Sequence, residues 1–451
     1  MNNKKELNEK GNLKPIPLLL SGGALFAMHF GASSMVWPMN WGKESGSSLF
    51  IAFLGAFITS LLLVIVGYIA LARFNNTYSN MAKTVAGPKF GVFFTSFTIL
   101  IIGPFYAIPR MSAASWDAFT QVFGLDNSSK IPIIFFMVSF YIITYIFLLS
   151  PGKALGRISK FLFPVLIIIV VAIISKGIIS PIGEINPKTY TISPFAYGFT
   201  NGYATAEVIC ALIFGSVIFN GLKEKGIGEE KLTANLIRVS ICGISILSVT
   251  HFCHMVIGAT ASQIFPNLSY TKLYTAVAVK LYGNLGGMFF CGALLMAALT
   301  TAIGMTSGCA EFFVDISNNR IEYKKISLVI IILSIIFGSF GLTDILTFLG
   351  PLLDGVYPSV IVLVLYFALV RNFENPSLLI SEKWAFYSAF TFGVLDMLWK
   401  YSKLLNLGNN MIFDLYTKIP LSECSLLWMP ITILTFVVRF LFSRKLYKQN
   451  S

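Results

Sequence analysis

Two serines interrupt a stretch that should be one apolar helix. In Ser21 to Trp41, SGGALFAMHFGASSMVWPMNW, the run Phe30-Gly31-Ala32-Ser33-Ser34 breaks the apolar pattern midway, and Pro38 limits how the helix resumes. Such a break exposes backbone carbonyls and N–H groups, which is tolerated at hydrocarbon depth only where protein buries them or a cavity wets them. N–H groups opening the second half-helix attract a carboxylate, and carbonyls closing the first attract a cation. The bland alternative is close helix packing through small residues; two mid-helix serines followed by proline favour binding. Gly31, Ala32, Ser33 and Ser34 are therefore candidate substrate contacts.

A second polar interruption, Thr200-Asn201-Gly202-Tyr203-Ala204-Thr205, lies in another apolar run and ends close to Glu207. Asn201, Gly202, Tyr203, Thr205 and Glu207 are candidates for the same ligand. A carboxylate within a span is costly and usually marks an ion or substrate path; Glu207 is open to pairing with an amine, carrying a proton, or bonding across helices. A third cluster, Ala297-Ala298-Leu299-Thr300-Thr301-Ala302 with Thr306 and Ser307 beyond, offers hydroxyl oxygens and carbonyls of the hard, uncharged kind a sodium ion takes. Threonine in a membrane helix often only bonds back to its own carbonyl. Arg110 follows Ile102-Gly103-Pro104-Phe105-Tyr106-Ala107-Ile108-Pro109, where two prolines and a glycine distort a helix end. It is a candidate gate, with pairing to Asp117 or snorkelling to headgroups as alternatives. His29 beside the first break reads as a packing residue. His251 and His254 lack partners at metal-ligand spacing. Glu311, Asp354 and Asp396 suit either structural pairing or a proton relay.

Long apolar helices must carry these residues. Of 451 residues, 56% are hydrophobic and 12% charged, against about 25% charged in an average soluble protein, and mean hydropathy is +0.77. The chain is therefore an all-α integral membrane protein. Apolar runs predict twelve spans near 16–38, 48–72, 90–109, 131–150, 158–178, 195–221, 235–259, 285–313, 326–342, 345–370, 384–400 and 424–443. The net charge of +13 comes without a basic block that would bind nucleic acid. Instead Lys4, Lys5, Lys10 and Lys14, then Lys153, Arg157 and Lys160, Lys223, Lys225 and Lys231, and Arg444, Lys445 and Lys448 fall on alternate loops. That places both termini in the cytoplasm. The polar opening MNNKKELNEKGNLKPIP is too long for a signal-peptide n-region, so the first helix is expected to be retained. The six cysteines read as buried free thiols. The Pro- and Gly-containing segment 179–194 and the segment 260–284 are expected outside, the latter with a short interfacial helix in YTKLYTAVAVKLYG.

The breaks in helices 1 and 6 are five helices apart, the spacing of an inverted 5+5 repeat, about 15–178 against 195–370, with two helices added at 384–443. Residues 1–14 and 444–451 are then cytoplasmic tails around one transporter domain, 15–443.

Phe30-Gly31-Ala32-Ser33-Ser34-Met35-Val36-Trp37-Pro38, Gly103-Pro104 through Pro109-Arg110, and Pro151-Gly152-Lys153 resemble the bacterial branched-chain amino acid:cation symporter family. So do Asn201-Gly202-Tyr203 with Thr205, Phe214-Gly215, and Thr301-Ala302 with Cys309-Ala310-Glu311-Phe312-Phe313. The resemblance runs from helix 1 to helix 12. It implies sodium- or proton-coupled uptake of leucine, isoleucine and valine, and the LeuT-like inverted-repeat fold of the amino acid–polyamine–organocation superfamily. By similarity, Ala297, Thr300 and Thr301 form one half of a sodium site, and the carbonyls of Ala27 and Phe30 the other. The family reads GAGN then FPP where this chain has GASS then Trp37-Pro38-Met39, and it places an aspartate where Glu207 stands. These departures extend the expected range to other apolar amino acids, methionine included.

The sequence thus reads as a secondary transporter in a bacterial cell membrane. Its partners are an amino acid and the lipid bilayer, with no nucleic acid and no obligatory protein partner. The coupling ion is Na+ or H+, and no cofactor, metal beyond that ion, or catalytic residue is expected. An exchanger of the same fold and a non-transporting nutrient sensor are the competing readings. A membrane-embedded enzyme would need convergent acids or a nucleophile–base pair that the helices do not offer.

Overall fold

The computed structural model of the chain describes residues 6–8, 11–74, 77–125, 130–149, 154–187, 192–370, 372–373, 375–406, 416, 418–422 and 424–449. Among these, the regular structure is helical, apart from one isolated bridge between Leu7 and Leu13.

The interrupted first span forms α1 (Pro15–His29) and α2 (Ala32–Ser45). After a short 3-10 turn, α3 (Leu49–Ala56) runs through a π turn at Phe57–Leu62 into α4 (Leu63–Arg73). The amphipathic α5 (Tyr78–Ala86) follows; its shortness and polarity hid it from a search for apolar runs. Next come α6 (Pro88–Leu100), a π turn at Ile101–Ala107 and α7 (Ile108–Phe123). Pro104 sits inside that turn, where its ring and missing N–H disrupt regular α-helical bonding. The helix continues beyond the turn, so Arg110 lies within α7 and not past a helix end.

Further along are α8 (Lys130–Leu148), α9 (Ala154–Arg157), α10 (Phe163–Ile179), α11 (Pro194–Tyr203) and α12 (Glu207–Glu224). Then follow α13 (Glu229–Thr260), α14 (Tyr270–Tyr282), α15 (Asn284–Ile316), α16 (Tyr323–Gly338), α17 (Leu342–Asp344) and α18 (Gly350–Leu369). The last two are α19 (Pro376–Leu404) and α20 (Trp428–Gln449). Helix α19 starts earlier than its apolar run, because the Asn375 side chain caps it by accepting from the N–H groups of Ser377 and Leu378. Helix α20 starts later, after turns in which Leu421 and Ser425 take positive φ. Pro151-Gly152-Lys153, Lys4, Lys5 and Lys10 lie outside the described residues.

Seven described helical segments are long and apolar enough to cross a membrane, or eight if α11 and α12, bent by 45°, count as one span. Apolar side chains face outward on them: Phe135 is 74% and Ile168 68% exposed. Those faces suit hydrocarbon, not water.

By internal contacts the chain forms two compact units, Met1–Ile65 with Gly103–Ile345, and Val66–Ile102 with Leu346–Ser451. In the first, α13 packs against both halves of the broken span. A Cβ on Gly258 would come within 1.8 Å of the Met39 carbonyl, and one on Gly42 within 1.9 Å of the Met255 carbonyl, so α2 and α13 touch backbone to backbone. Helix α14 is more than interfacial, since Leu273, Tyr274, Val277 and Ala278 are fully buried. In the second unit, Lys400 lies 2.8 Å from Asp354 and 3.3 Å from Asp396, and Tyr416 donates to Asp396 at 3.1 Å. These two acids are thus in a structural ion-pair cluster.

Gly258→Ala should lower the thermal midpoint of the purified protein by the equivalent of about 1–3 kcal/mol, the usual cost of overpacking. Gly292→Ala, whose Cβ meets only Ile169 at 3.8 Å, should leave it unchanged. Size-exclusion after stepwise heating reads both.

Candidate functional site

The two interruptions meet in the first unit. At the first, Phe30 leaves helical backbone (φ −78°, ψ 58°) and Gly31 is extended (φ −76°, ψ −177°). In an unbroken helix the carbonyls of Ala27 and Met28 would accept from Gly31 and Ala32. Here the Gly31 N–H turns to the His29 carbonyl at 2.8 Å, and the Ala32 N–H faces the Met111 sulfur at 3.4 Å. Helix α15 takes up the freed carbonyls. Thr300 donates to Ala27 at 2.6 Å and lies 2.9 Å from the Ala297 carbonyl of its own helix. Thr301 donates to Met28 at 2.7 Å. Adjacent threonines thus meet adjacent carbonyls, those of Ala27 and Met28. The result is a buried set of three carbonyl and two hydroxyl oxygens with no fixed charge.

The first turn of α2 is open at the other side of the break. Gly31 offers no capping side chain, and the first backbone bond of the turn is from Met35 N–H to the Gly31 carbonyl at 3.1 Å. The N–H groups of Ser33 and Ser34, together with that of Ala32, which meets only the weakly accepting Met111 sulfur, therefore lead with the positive end of the helix dipole. Ser33 and Ser34 are half-buried.

At the second interruption α11 ends at Tyr203, and Ala206 takes a left-handed conformation (φ 52°) before Glu207 opens α12. The polar residues of this stretch divide here. Asn201 donates back to the Tyr197 carbonyl at 2.8 Å and Thr205 to the Gly202 carbonyl at 2.7 Å. A Cβ on Gly202 would strike the Thr59 hydroxyl at 2.4 Å, so this glycine packs against the π turn after α3. Tyr203 is buried. Glu207 is the residue that reaches the first break: its Oε1 lies 2.6 Å from His29 Nδ1. His29, also packed edge-on against Phe214, is thus a link between the interruptions, which its position on an apolar helix did not reveal.

Ser34, Trp37, Trp41, Ser60, Leu61, Thr205, Glu207 and His251 line a small cavity between these elements. It is pinched, with free room for the centre of about one water. Ser60 and His251 come from helices whose apolar patterns gave no hint of a site. His254 has a structural role, bonded to the Thr250 carbonyl and the Tyr274 hydroxyl. Arg110 does not snorkel and does not pair with Asp117, which accepts from Gln121 at 2.8 Å. It is buried, donates to the Tyr106 hydroxyl at 2.9 Å, and stacks over the rings of Tyr106 and Trp37. Glu311, ten and eleven residues past the threonine pair, accepts from Asn220 at 2.9 Å and Ser307 at 3.1 Å. Among the described residues no group of three His, Cys, Asp or Glu could hold a metal ion.

Residues 16–446 match the family model described as branched-chain amino acid transport protein. The chain belongs to that family. The chain is similar to the branched-chain amino acid permease BraB of Bacillus subtilis, 30% identical over 79% of this chain and 81% of that protein, and to the branched-chain amino acid transport system 2 carrier protein of Pseudomonas aeruginosa, 28% identical over 94% and 95%. The family's proteins are permeases and carriers, not enzymes. Among solved structures, the fold is similar to that of Mhp1, a nucleobase-cation-symport-1 family transporter in a closed conformation with bromovinylhydantoin bound. The TM-score is 0.60 over 96% of this chain and 93% of that one, at 13% identity. This family member therefore shares the helical fold of that transporter.

A double-mutant cycle over His29→Ala and Glu207→Ala should give a coupling of about 0.5–3 kcal/mol in thermal stability, the range for residues in contact. Additive effects would show that the contact joining the interruptions carries no energy.

Proposed function

We propose that this protein is a secondary active transporter that imports branched-chain amino acids, leucine, isoleucine and valine with methionine as a further substrate, by cation-coupled alternating access. The names of its relatives and the likeness to a cation symporter's fold support that reading. The observation that carries it is the contact of Thr300 and Thr301 with the carbonyls of Ala27 and Met28. These oxygens, with that of Ala297, are hard, neutral and crowded at the negative end of a helix dipole. That chemistry suits Na+, which needs several oxygen ligands and no titratable group. A proton would need His29, Glu207 or another intramembrane acid.

In this mechanism, Na+ draws α1 against α15 and thereby sets the position of α2. The amino acid's carboxylate lies against the first-turn N–H groups at Ala32, Ser33 and Ser34, and Glu207 answers its ammonium. Trp37, Trp41 and Leu61 offer apolar surface to the side chain. Each ligand then favours the arrangement the other needs, a reciprocal coupling of typically 5- to 150-fold in affinity. The full architecture of this reading has twelve spans, an inverted repeat of 15–178 against 195–370, two added helices and both termini in the cytoplasm.

Uptake of labelled leucine into proteoliposomes should be driven by an inward sodium gradient at fixed pH. The Thr300→Ala/Thr301→Ala variant should raise the half-saturating sodium concentration at least about tenfold while remaining monodisperse, the effect of losing two ligand groups. Unchanged sodium dependence in that variant would refute the ion site. Accumulation under a proton gradient alone would move coupling to Glu207 and His29, and uptake only against internal amino acid would mark an exchanger.

A further inference from the structure

Arg110 is a buried cation without an anion. It is 8% exposed, and no carboxylate among the described residues lies within ion-pair distance of it. One terminal nitrogen donates to Tyr106, while its Nε–H has no acceptor among the described residues. The rings of Tyr106 and Trp37, 4.5 and 5.4 Å from the guanidinium carbon, give a partial cation–π counterweight. An isolated charge in such a place is retained only for a partner that arrives from outside.

Its neighbours indicate where that partner sits. Met111, the next residue, has its sulfur at the Ala32 N–H and 2.9 Å from where a Cβ on Gly31 would be. Arg110 itself reaches α2 at Trp37, on whose ring it stacks. Trp37, on which it stacks, also lines the cavity that Glu207 borders. The only carboxylate lining that cavity is Glu207, itself held by His29. Arg110 thus stacks on one wall residue of the small space that Glu207 lines, and a ligand carrying both charges would complement the pair.

We infer that Arg110 binds the carboxylate of the transported amino acid, using its free Nε edge as a fork beside the α2 N–H groups, with Glu207 holding the ammonium. This rests on the amino-acid reading above and assigns Arg110 to specificity rather than to a gate alone. Guanidinium suits the task because its planar donors match a carboxylate two for two.

The test compares binding of leucine and leucinamide, which keeps side chain and amine but has no carboxylate, to full-length protein in nanodiscs. Wild type should strongly prefer leucine. Arg110→Gln should weaken leucine about 10- to 100-fold, the usual weight of a lost charge-assisted hydrogen bond, and leave leucinamide unchanged, so the preference collapses. Arg110→Lys, which keeps the charge but not the fork, should fall between and carries the test if Arg110→Gln does not fold. A wild-type leucine:leucinamide ratio in both variants would overturn the inference while leaving the amino-acid reading intact. Failure of wild type to bind leucine would overturn that reading and the inference with it. Replacing chloride by gluconate separates a second source of negative charge: leucine affinity that depends on chloride in wild type but not in Arg110→Gln would assign Arg110 to chloride and refute the carboxylate role.

Discussion

Everything at the centre of this protein depends on two backbone carbonyls that cannot be satisfied by their own helix. Once Gly31 and Ala32 turn away, the oxygens of Ala27 and Met28 need donors, and the hydroxyls of Thr300 and Thr301 provide them. The contact fixes α1 against α15 by hydrogen bonds that an ion could replace. A covalent or purely apolar join would hold the helices as well but could not be exchanged for a ligand. The interruption is therefore both the weak point of the helix and the place where binding can be exchanged for conformation.

A second join ties this break to the one before α12. His29 and Glu207 bridge them at 2.6 Å, so the Glu207 carboxylate is held by the same turn that supplies the freed carbonyls. Around both, glycines allow backbone-to-backbone packing, with α13 against α2 at Gly258 and Gly42, and α11 against α3 at Gly198, where a Cβ would lie 1.8 Å from the Ala52 carbonyl.

The helical class, both interruptions and the threonine pair were legible because each is local: composition, a glycine–serine run, or adjacent hydroxyls on one helix. What was not legible depends on partners distant in sequence. That Thr301 bonds to the Met28 carbonyl follows from where the Gly31 and Ala32 N–H groups turn, which no pattern encodes. His29 looked like a packing residue because Glu207 is 178 positions away. Arg110 looked able to reach Asp117 seven positions on, but Asp117 takes Gln121 and the guanidinium turns to Tyr106 and Trp37. Ser60 and His251 reach the cavity from the π turn after α3 and from α13, whose apolar runs conceal them. Gly202 and Asn201 also have local partners, the Thr59 hydroxyl and the Tyr197 carbonyl, which the sequence does not reveal.

The outward faces of α8 and α10 set a further requirement. The apolar segment Ile131–Leu148 has 18 residues and Ile158–Ile179 has 22, which correspond to about 27 and 33 Å at about 1.5 Å per residue. Their exposed Phe135 and Ile168 meet acyl chains directly. A hydrocarbon layer near 30 Å accommodates both with modest tilt, whereas a much thinner or thicker one would tilt them unequally. Because α10 also packs on α13 and α15, a change in lipid chain length would be felt at the helices that hold the broken span, making membrane thickness a physical variable of this protein's conformational balance.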